Sequence, residues 1–287
     1  MNRKRTNGWT LVPLALAIAC GALALVWPHW RSELRAQSTY RELDPFLCYK
    51  TKRVKQLISV GLCDWFDCTD DSYYEGKVST VFCAPADVIG DVSPIQDPDT
   101  HIMVYKIKGP HERRSEVEVA NIFGVFLYDT KKTDSLMVPS AKSIYPEPPP
   151  GQPDPESEVD HYRCLKVKVS KGESRLPKGM GVDVNDQFGS RMVFVKRPFK
   201  LCLATSKNGE DVKNPHVHLM CYKVKPEPKT SATGVQVNNQ ISPASLILKK
   251  EHELCVPSTI AYGYARGLRA ADRGVAAAKW IRRRKGE

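Results

Sequence analysis

The sequence predicts a mostly β protein: two tandem β-sandwich or barrel-like domains, each built from two repeats of about 57 residues. Three observations carry this. A short alternating segment recurs four times, a Pro-rich stretch interrupts the chain midway, and the cysteines fall at matching places in the repeats. An N-terminal hydrophobic helix and a basic C-terminal segment are expected to flank the β region.

The N-terminal element is 1–36. Arg3, Lys4 and Arg5 precede Trp9–Trp27, 19 residues without a charge. As a helix this run spans about 28 Å, the hydrocarbon thickness of a bilayer. Basic residues before an apolar run are the pattern of an export signal. Three fates stay open: cleavage after Ala19, Ala24 or Ala36, retention as an anchor, or lipidation at Cys20. Each places the rest of the chain outside the cytoplasmic membrane.

The first β domain is 37–142 and the second is 159–258. Their opening strands read FLCYKTK at 46–52, IMVYKIK at 102–108, YRCLKVK at 162–168 and LMCYKVK at 219–225. Apolar and polar residues alternate, as in a half-buried strand. Corresponding positions are 48, 104, 164 and 221, spaced by 56, 60 and 57 residues. A second block reads VEVANIFG at 117–124, VDVNDQFG at 182–189 and VQVNNQIS at 235–242, a strand running into a turn. A further β-prone stretch follows at 125–128, 192–195 and 245–248. Each unit closes on a third block: VFCAP at 81–85, SLMVPS at 135–140, KLCLATS at 200–206 and ELCVPS at 253–258. About four short strands per unit are expected. Unit one departs from the others by an insertion and by lacking the second block.

Between the domains lies 143–158, with six prolines in sixteen residues. Proline cannot donate to a sheet ladder, so this reads as an extended linker. The last element, 259–287, breaks the repeat. Ile260, Tyr264, Leu268, Ala271, Val275 and Ile281 recur at helical spacing among arginines, while Gly263, Gly267 and Gly274 weaken a helix. An amphipathic basic helix and a disordered basic tail are both open readings. In either form, the tail is expected to meet an anionic envelope polymer or lipid.

Charge is concentrated at the ends. The chain carries net +11, of which 1–36 holds +4 and 259–287 holds +6, leaving +1 for 37–258. The electrostatic footprint of nucleic-acid binding is missing from the β region, and no nucleic-acid partner is expected.

Nine cysteines in an exported chain point to disulfides, and setting Cys20 aside leaves eight. Cys48 and Cys83, Cys164 and Cys202, and Cys221 and Cys255 occupy the first and third blocks of units one, three and four. Unit two holds Val104 and Met137 at those places. Both cysteines are lost together, as an intra-unit disulfide requires. Cys63 and Cys68 lie in the unit-one insertion and pair locally. His161-x-x-Cys164 and His218-x-x-Cys221 have metal-ligand spacing. Unit two, however, keeps His101 without its cysteine, so the histidine reads as a strand-entry residue and no metal site is assigned.

No catalytic constellation is legible: there is no nucleophile elbow, zincin motif, P-loop or dinucleotide fingerprint, and no cofactor is expected. Asp183 with Asp186, and Asp64, Asp67, Asp70 and Asp71, read as turn and loop carboxylates. Trp65, Phe66, Tyr73 and Tyr74 form the densest aromatic cluster and are the candidate ligand-contact residues.

As a set, LCYKTK, VDVNDQFG, KLCLATSKNGE and HLMCYKVK resemble a family of secreted bacterial Cys-paired β repeat proteins whose domain has no assigned function. The resemblance covers about 42–258. It implies export and a repeat fold, and it supplies no catalytic residues. Two functions are carried forward. The first is an exported, disulfide-stabilised binding or structural module of the cell envelope. The second is an extracellular hydrolase acting on a polymer between the two domains.

Overall fold

Alternation of apolar and polar residues produces strands throughout. The computed structural model describes residues 43–68, 72–88, 94–111, 113–227 and 233–262. The expected N-terminal segment, Asp70, Asp71 and the tail beyond 262 lie outside the described residues. Among the described residues eleven strands are present: β1 (Phe46–Asp64), β2 (Tyr73–Val88), β3 (His101–Lys108), β4 (Val117–Asn121), β5 (Gly124–Ile144), β6 (Tyr162–Val169), β7 (Gly181–Asp186), β8 (Gly189–Lys207), β9 (His218–Glu227), β10 (Thr233–Asn238) and β11 (Ala244–Ala261). They join one sheet, and every pairing is antiparallel.

Eight of them form a closed circuit. β1 pairs with β2, β2 with β3, β3 with β5, β5 with β6, β6 with β8, β8 with β9 and β9 with β11, and β11 returns to β1. The register repeats around it. Within units, Cys48 faces Cys83, Val104 faces Met137, Cys164 faces Cys202 and Cys221 faces Cys255. Between units, Cys83 faces Ile102, Met137 faces Tyr162, Cys202 faces Leu219 and Cys255 faces Phe46. The offset at each junction is therefore two residues, the uniform stagger that tilts strands around a barrel.

The segments 37–142 and 159–258, set apart in the sequence as two domains, share this circuit through β5–β6 and β11–β1. All described residues lie in one compact unit, Tyr40–Glu287. Two units contribute only four circuit strands and two open edges. Four units close the ring and remove both. The boundary expected at 258 also falls inside β11, whose Ser258–Ala261 pairs with β4.

Both faces of the circuit are buried. On one face, Phe46, Cys48, Ile102, Val104, Tyr162, Cys164, Leu219 and Cys221 join one cluster with their third-block partners. These residues are 0–1% exposed. Among the described residues, only Leu43, Val159, Val212 and Val217 join them from outside the strands, and the closed circuit encloses them: this is the barrel interior. The disulfides Cys48–Cys83, Cys164–Cys202 and Cys221–Cys255 form one layer within it. Cys48 Sγ lies 3.8 Å from Cys255 Sγ, and Cys202 Sγ lies 3.9 Å from Cys221 Sγ. Cys63–Cys68 is the fourth disulfide, away from the interior. Each interior disulfide closes a loop of 34 to 38 residues. Such a loop is worth about 4 kcal/mol in the chain-entropy account.

The outer face carries Leu47, Tyr49, Phe82, Tyr105, Leu201 and Tyr222, covered by the second-block hairpins. Each hairpin reaches the unit two places along. β4 pairs with β11, β7 with β2 and β10 with β5, while the end of β1 pairs with β8. The fourth of these corrects the sequence reading of unit one. Val60-Gly61-Leu62-Cys63-Asp64-Trp65-Phe66 occupies the place of the second block that unit one seemed to lack. Four turn residues show the equivalence. The Oδ1 atoms of Asp64, Asn121, Asp186 and Asn239 each accept the backbone N–H two residues on, all at 2.9 Å. Gly124 and Gly189 follow two of these turns with φ of 120° and 115°, where a side chain is strained.

The expected count of four short strands per unit also changes. The stretch after each hairpin runs unbroken into the third block, giving long strands of 21, 19 and 18 residues in β5, β8 and β11. The Pro-rich segment leaves the sheet after Ile144 and lies on the unit-four hairpin, where Asn238 Nδ2 donates to the Pro150 carbonyl and Gln236 Nε2 to that of Glu147.

Candidate functional site: a lysine rim at one barrel mouth

Three repeat positions are lysine in all four units. Two residues beyond the first-block position stand Lys50, Lys106, Lys166 and Lys223, and four residues beyond stand Lys52, Lys108, Lys168 and Lys225. Six residues before the third-block position stand Lys77, Lys131, Lys196 and Lys249. The antiparallel register brings all three sets to the same end of the barrel, because first-block strands run toward it and third-block strands start from it.

The first set continues the interior face, one step beyond the disulfides. There Lys50 faces Val81, Lys106 faces Ser135, Lys166 faces Lys200 and Lys223 faces Glu253. Two carboxylates hold most of this charge. Asp134 Oδ2 takes Lys106 Nζ at 2.6 Å, and Asp134 Oδ1 takes Lys166 Nζ at 3.5 Å. Glu253 takes Lys200 and Lys223, both at 2.9 Å. Lys223 Nζ also lies 3.4 Å from the centre of the Phe199 ring, a cation–π contact.

The electrostatics follow from burial. Burial raises the Glu253 carboxyl, but Lys200 and Lys223 outweigh it and bring it down to about 2. Asp134 is lowered in the same way by Lys200 and Lys106 against its burial. Burial brings Lys223 down to about 8, and it brings His252 beside it down to about 4, so His252 adds no charge at neutral pH. Five interior lysines thus meet two carboxylates, leaving a surplus of positive charge at the mouth.

The other two sets are exposed. The third set sits at bulges, where the ladder slips between Gly76 and Val78, between Thr130 and Thr133, and between Val195 and Arg197. A bulge frees residues from pairing and redirects their side chains. Lys77, Lys131 and Lys132 are turned out this way. This rim was missed in the sequence because net charge was averaged over the β region. The signal was nonetheless present, as lysine at fixed offsets from each Cys or its replacement.

The candidates singled out from the sequence are placed as follows. Trp65 and Tyr73 are 57% and 63% exposed, whereas Phe66 and Tyr74 are core residues at 7% and 0%. Tyr74 Oη accepts from Arg163 Nη1 at 3.0 Å. The four rings therefore do not make one contact surface. Trp65 packs edge-on to His216 and His218, with centroids 5.8 and 6.0 Å away. Asp183 is exposed while Asp186, buried, accepts from Tyr49 and Arg191, so the two carboxylates do not act together. Asp64 and Asp67 both grip Arg163. His161 and His218 stand beside cysteines already bonded in disulfides. Among the described residues, one close grouping of ligand-type side chains occurs, Cys221, Glu253 and Cys255, whose two sulfurs are bonded to each other.

No protein-family model, curated protein or solved structure matches this chain.

Proposed function

We propose that this protein is an exported binding module of the cell envelope that takes an anionic envelope component at its lysine rim. The carrying observation is the recurrence of lysine at three positions in all four units, converging on one mouth of a closed barrel. A surface needed only for solubility tolerates either sign of charge and has no reason to repeat one sign at one end. Three interior disulfides suit an oxidising compartment, in line with the basic and apolar N-terminal sequence. The tail 259–287 adds net +6 of the same sign.

The test is co-sedimentation with envelope fractions of the host, using the mature chain and a chain ending at Tyr262, which keeps β11 whole. Both are expected to sediment, and both are expected to be released by salt. Failure of both to sediment overturns the reading. Sedimentation of the longer chain alone moves the binding surface from the rim to the tail.

A further inference from the structure

We infer that the rim has a preferred binding corner between β2, β3, β5 and β6, shaped for a linear polymer of phosphate groups joined by non-aromatic spacers; this inference rests on the binding-module reading above.

Two basins open there, of about 670 and 440 Å³. They share Lys132 and Lys166 in their walls, so they lie side by side along the rim. Lys77, Lys106 and Lys108 line the larger basin; Arg113, Lys131 and Lys168 line the smaller. The acidic residues in the walls are Glu75, Asp129 and Asp134. Two of these are already engaged, Asp134 by Lys106 and Lys166, and Asp129 by Lys168 at 3.0 Å and by Ser170 Oγ at 2.6 Å. Among the described residues, Lys77, Lys108, Arg113, Lys131 and Lys132 make no ion pair. Against these five cations the walls hold one further carboxylate, Glu75, which stands opposite Lys108 in the β2–β3 ladder.

The extent and chemistry of the basins select the ligand. Two adjacent basins suit several anionic groups in a row rather than one. Lysine outnumbers arginine, so the walls meet anionic oxygens as separate point charges, a mode in which lysine binds phosphate. No aromatic ring lines either basin, so nothing there stacks a nucleobase, and single-stranded nucleic acid loses its main non-ionic contact. The bulges on β2 and β5 supply the mechanism, because they turn Lys77, Lys131 and Lys132 into the basins from both sides.

The experiment is titration of the full mature chain with inorganic polyphosphate and with poly(glycerol phosphate), beside heparin and an oligothymidylate of matched charge. The triple variant Arg113→Gln, Lys131→Gln, Lys132→Gln changes exposed cations without ion pairs. The comparison variant Lys249→Gln, Lys250→Gln removes the equivalent doublet in unit four. Both phosphate polymers are expected to bind, more tightly than heparin or the oligothymidylate, with affinity falling steeply as salt rises. The triple variant is expected to lose at least about tenfold in affinity, and the comparison variant less than about threefold. Equal losses in the two variants overturn the corner, as does tighter binding of heparin or the oligothymidylate. If the triple variant still sediments undiminished with envelope fractions, this inference fails while the binding-module reading stands. If the unsubstituted chain neither binds a phosphate polymer nor sediments, both fail.

Discussion

Arg163 and Asp64 face each other with no solvent exposure of either side chain, joined by Nε to Oδ2 at 2.5 Å and Nη2 to Oδ1 at 2.9 Å. They link units three and one, two places apart around the barrel. In the other units this link is a tyrosine. Tyr49 donates to Asp186, Asn239 Nδ2 donates to Tyr105 Oη at 2.9 Å, and Asn121 Nδ2 donates to Tyr222 Oη at 3.0 Å. Unit three has Leu165 at the tyrosine position, and Arg163, two residues earlier, reaches the turn instead.

Asp64→Asn isolates the charge in this link. Asparagine keeps the turn hydrogen bond, as Asn121 and Asn239 show at the equivalent sites. The substitution leaves Arg163 buried with Asp67 as its remaining carboxylate, at 2.6 Å. Removing one partner of a buried pair costs about 3–5 kcal/mol. The lower half of that range is expected here, read as a fall in the denaturant midpoint. Asp129→Asn breaks the half-exposed pair with Lys168 and is expected to cost about 1 kcal/mol or less. Similar losses in the two variants would contradict this account of Arg163.

Val104 and Met137 occupy the interior place that holds a disulfide in the other three units, and they face each other directly. Val104→Cys with Met137→Cys is expected to form a fourth interior disulfide on oxidation, seen as a two-hydrogen mass loss. It should raise stability by about 2–4 kcal/mol, less whatever the lost methionine packing contributes. Two free thiols after oxidation would show that the unit-two strands are held apart in solution.

The strands, their alternation and the cysteine partners were legible because each depends on residues close in sequence or on a matched place in the repeat. Cys48 opposite Cys83 follows from the repeat alone. Barrel closure does not, since it depends on β11 returning to β1, a pairing no local pattern marks. The second block of unit one was hidden by composition: Cys63 stands where other units carry Ala120, Asn185 and Asn238, and Trp65 where they carry Ile122, Gln187 and Gln240, yet Val60, Leu62, Asp64 and Phe66 keep the pattern. The lysine rim was hidden by averaging. Acidic residues elsewhere in 37–258 balance it; three of them, Asp44, Asp97 and Asp160, precede the first-block strands and so belong to the other end of the barrel. There they accept backbone N–H groups, as Asp44 does from Gln96 and Asp97, and Asp160 from Lys213 and Asn214. Net charge is a sum over the chain, whereas a binding surface depends on where the strands deliver each charge.

Acid is expected to weaken the fold below neutrality. Burial holds His101, His161 and His252 down to about 4 and His218 to about 3, against an ordinary value of 6.5. The unfolded chain therefore takes up these protons first. Their contribution is whole above about pH 6.5 and is lost as pH falls toward 4. Glu253, held at about 2 against 4.5, adds a further loss between those values. Asp44, Asp160 and Asp186, raised by burial, act in the opposite direction. Urea unfolding at pH 7.5 and pH 5 is expected to differ by at least about 2 kcal/mol in favour of pH 7.5. A flat profile would mean that these histidines are solvated in solution.

Glu253→Gln tests the interior end of the rim. Glu253 is the shared carboxylate for Lys200, itself 1% exposed, and Lys223. Without it two ammonium groups are left close together with little water, at an expected cost of about 3–5 kcal/mol near neutral pH. Lys223, already brought down to about 8 mainly by burial, then loses the group that held its proton, and its folded value falls further below the ordinary 10.5. A lysine whose folded value lies below its unfolded one costs stability while protonated and recovers it as pH rises from the folded value to the unfolded one. The variant is therefore expected to regain part of its loss between pH 7 and pH 8.5, over which the parent chain, whose Lys223 keeps its proton until about 8, gains less. Denaturant midpoints across that interval measure the difference. A loss independent of pH would place the cost in packing around Glu253 rather than in the charge of Lys223.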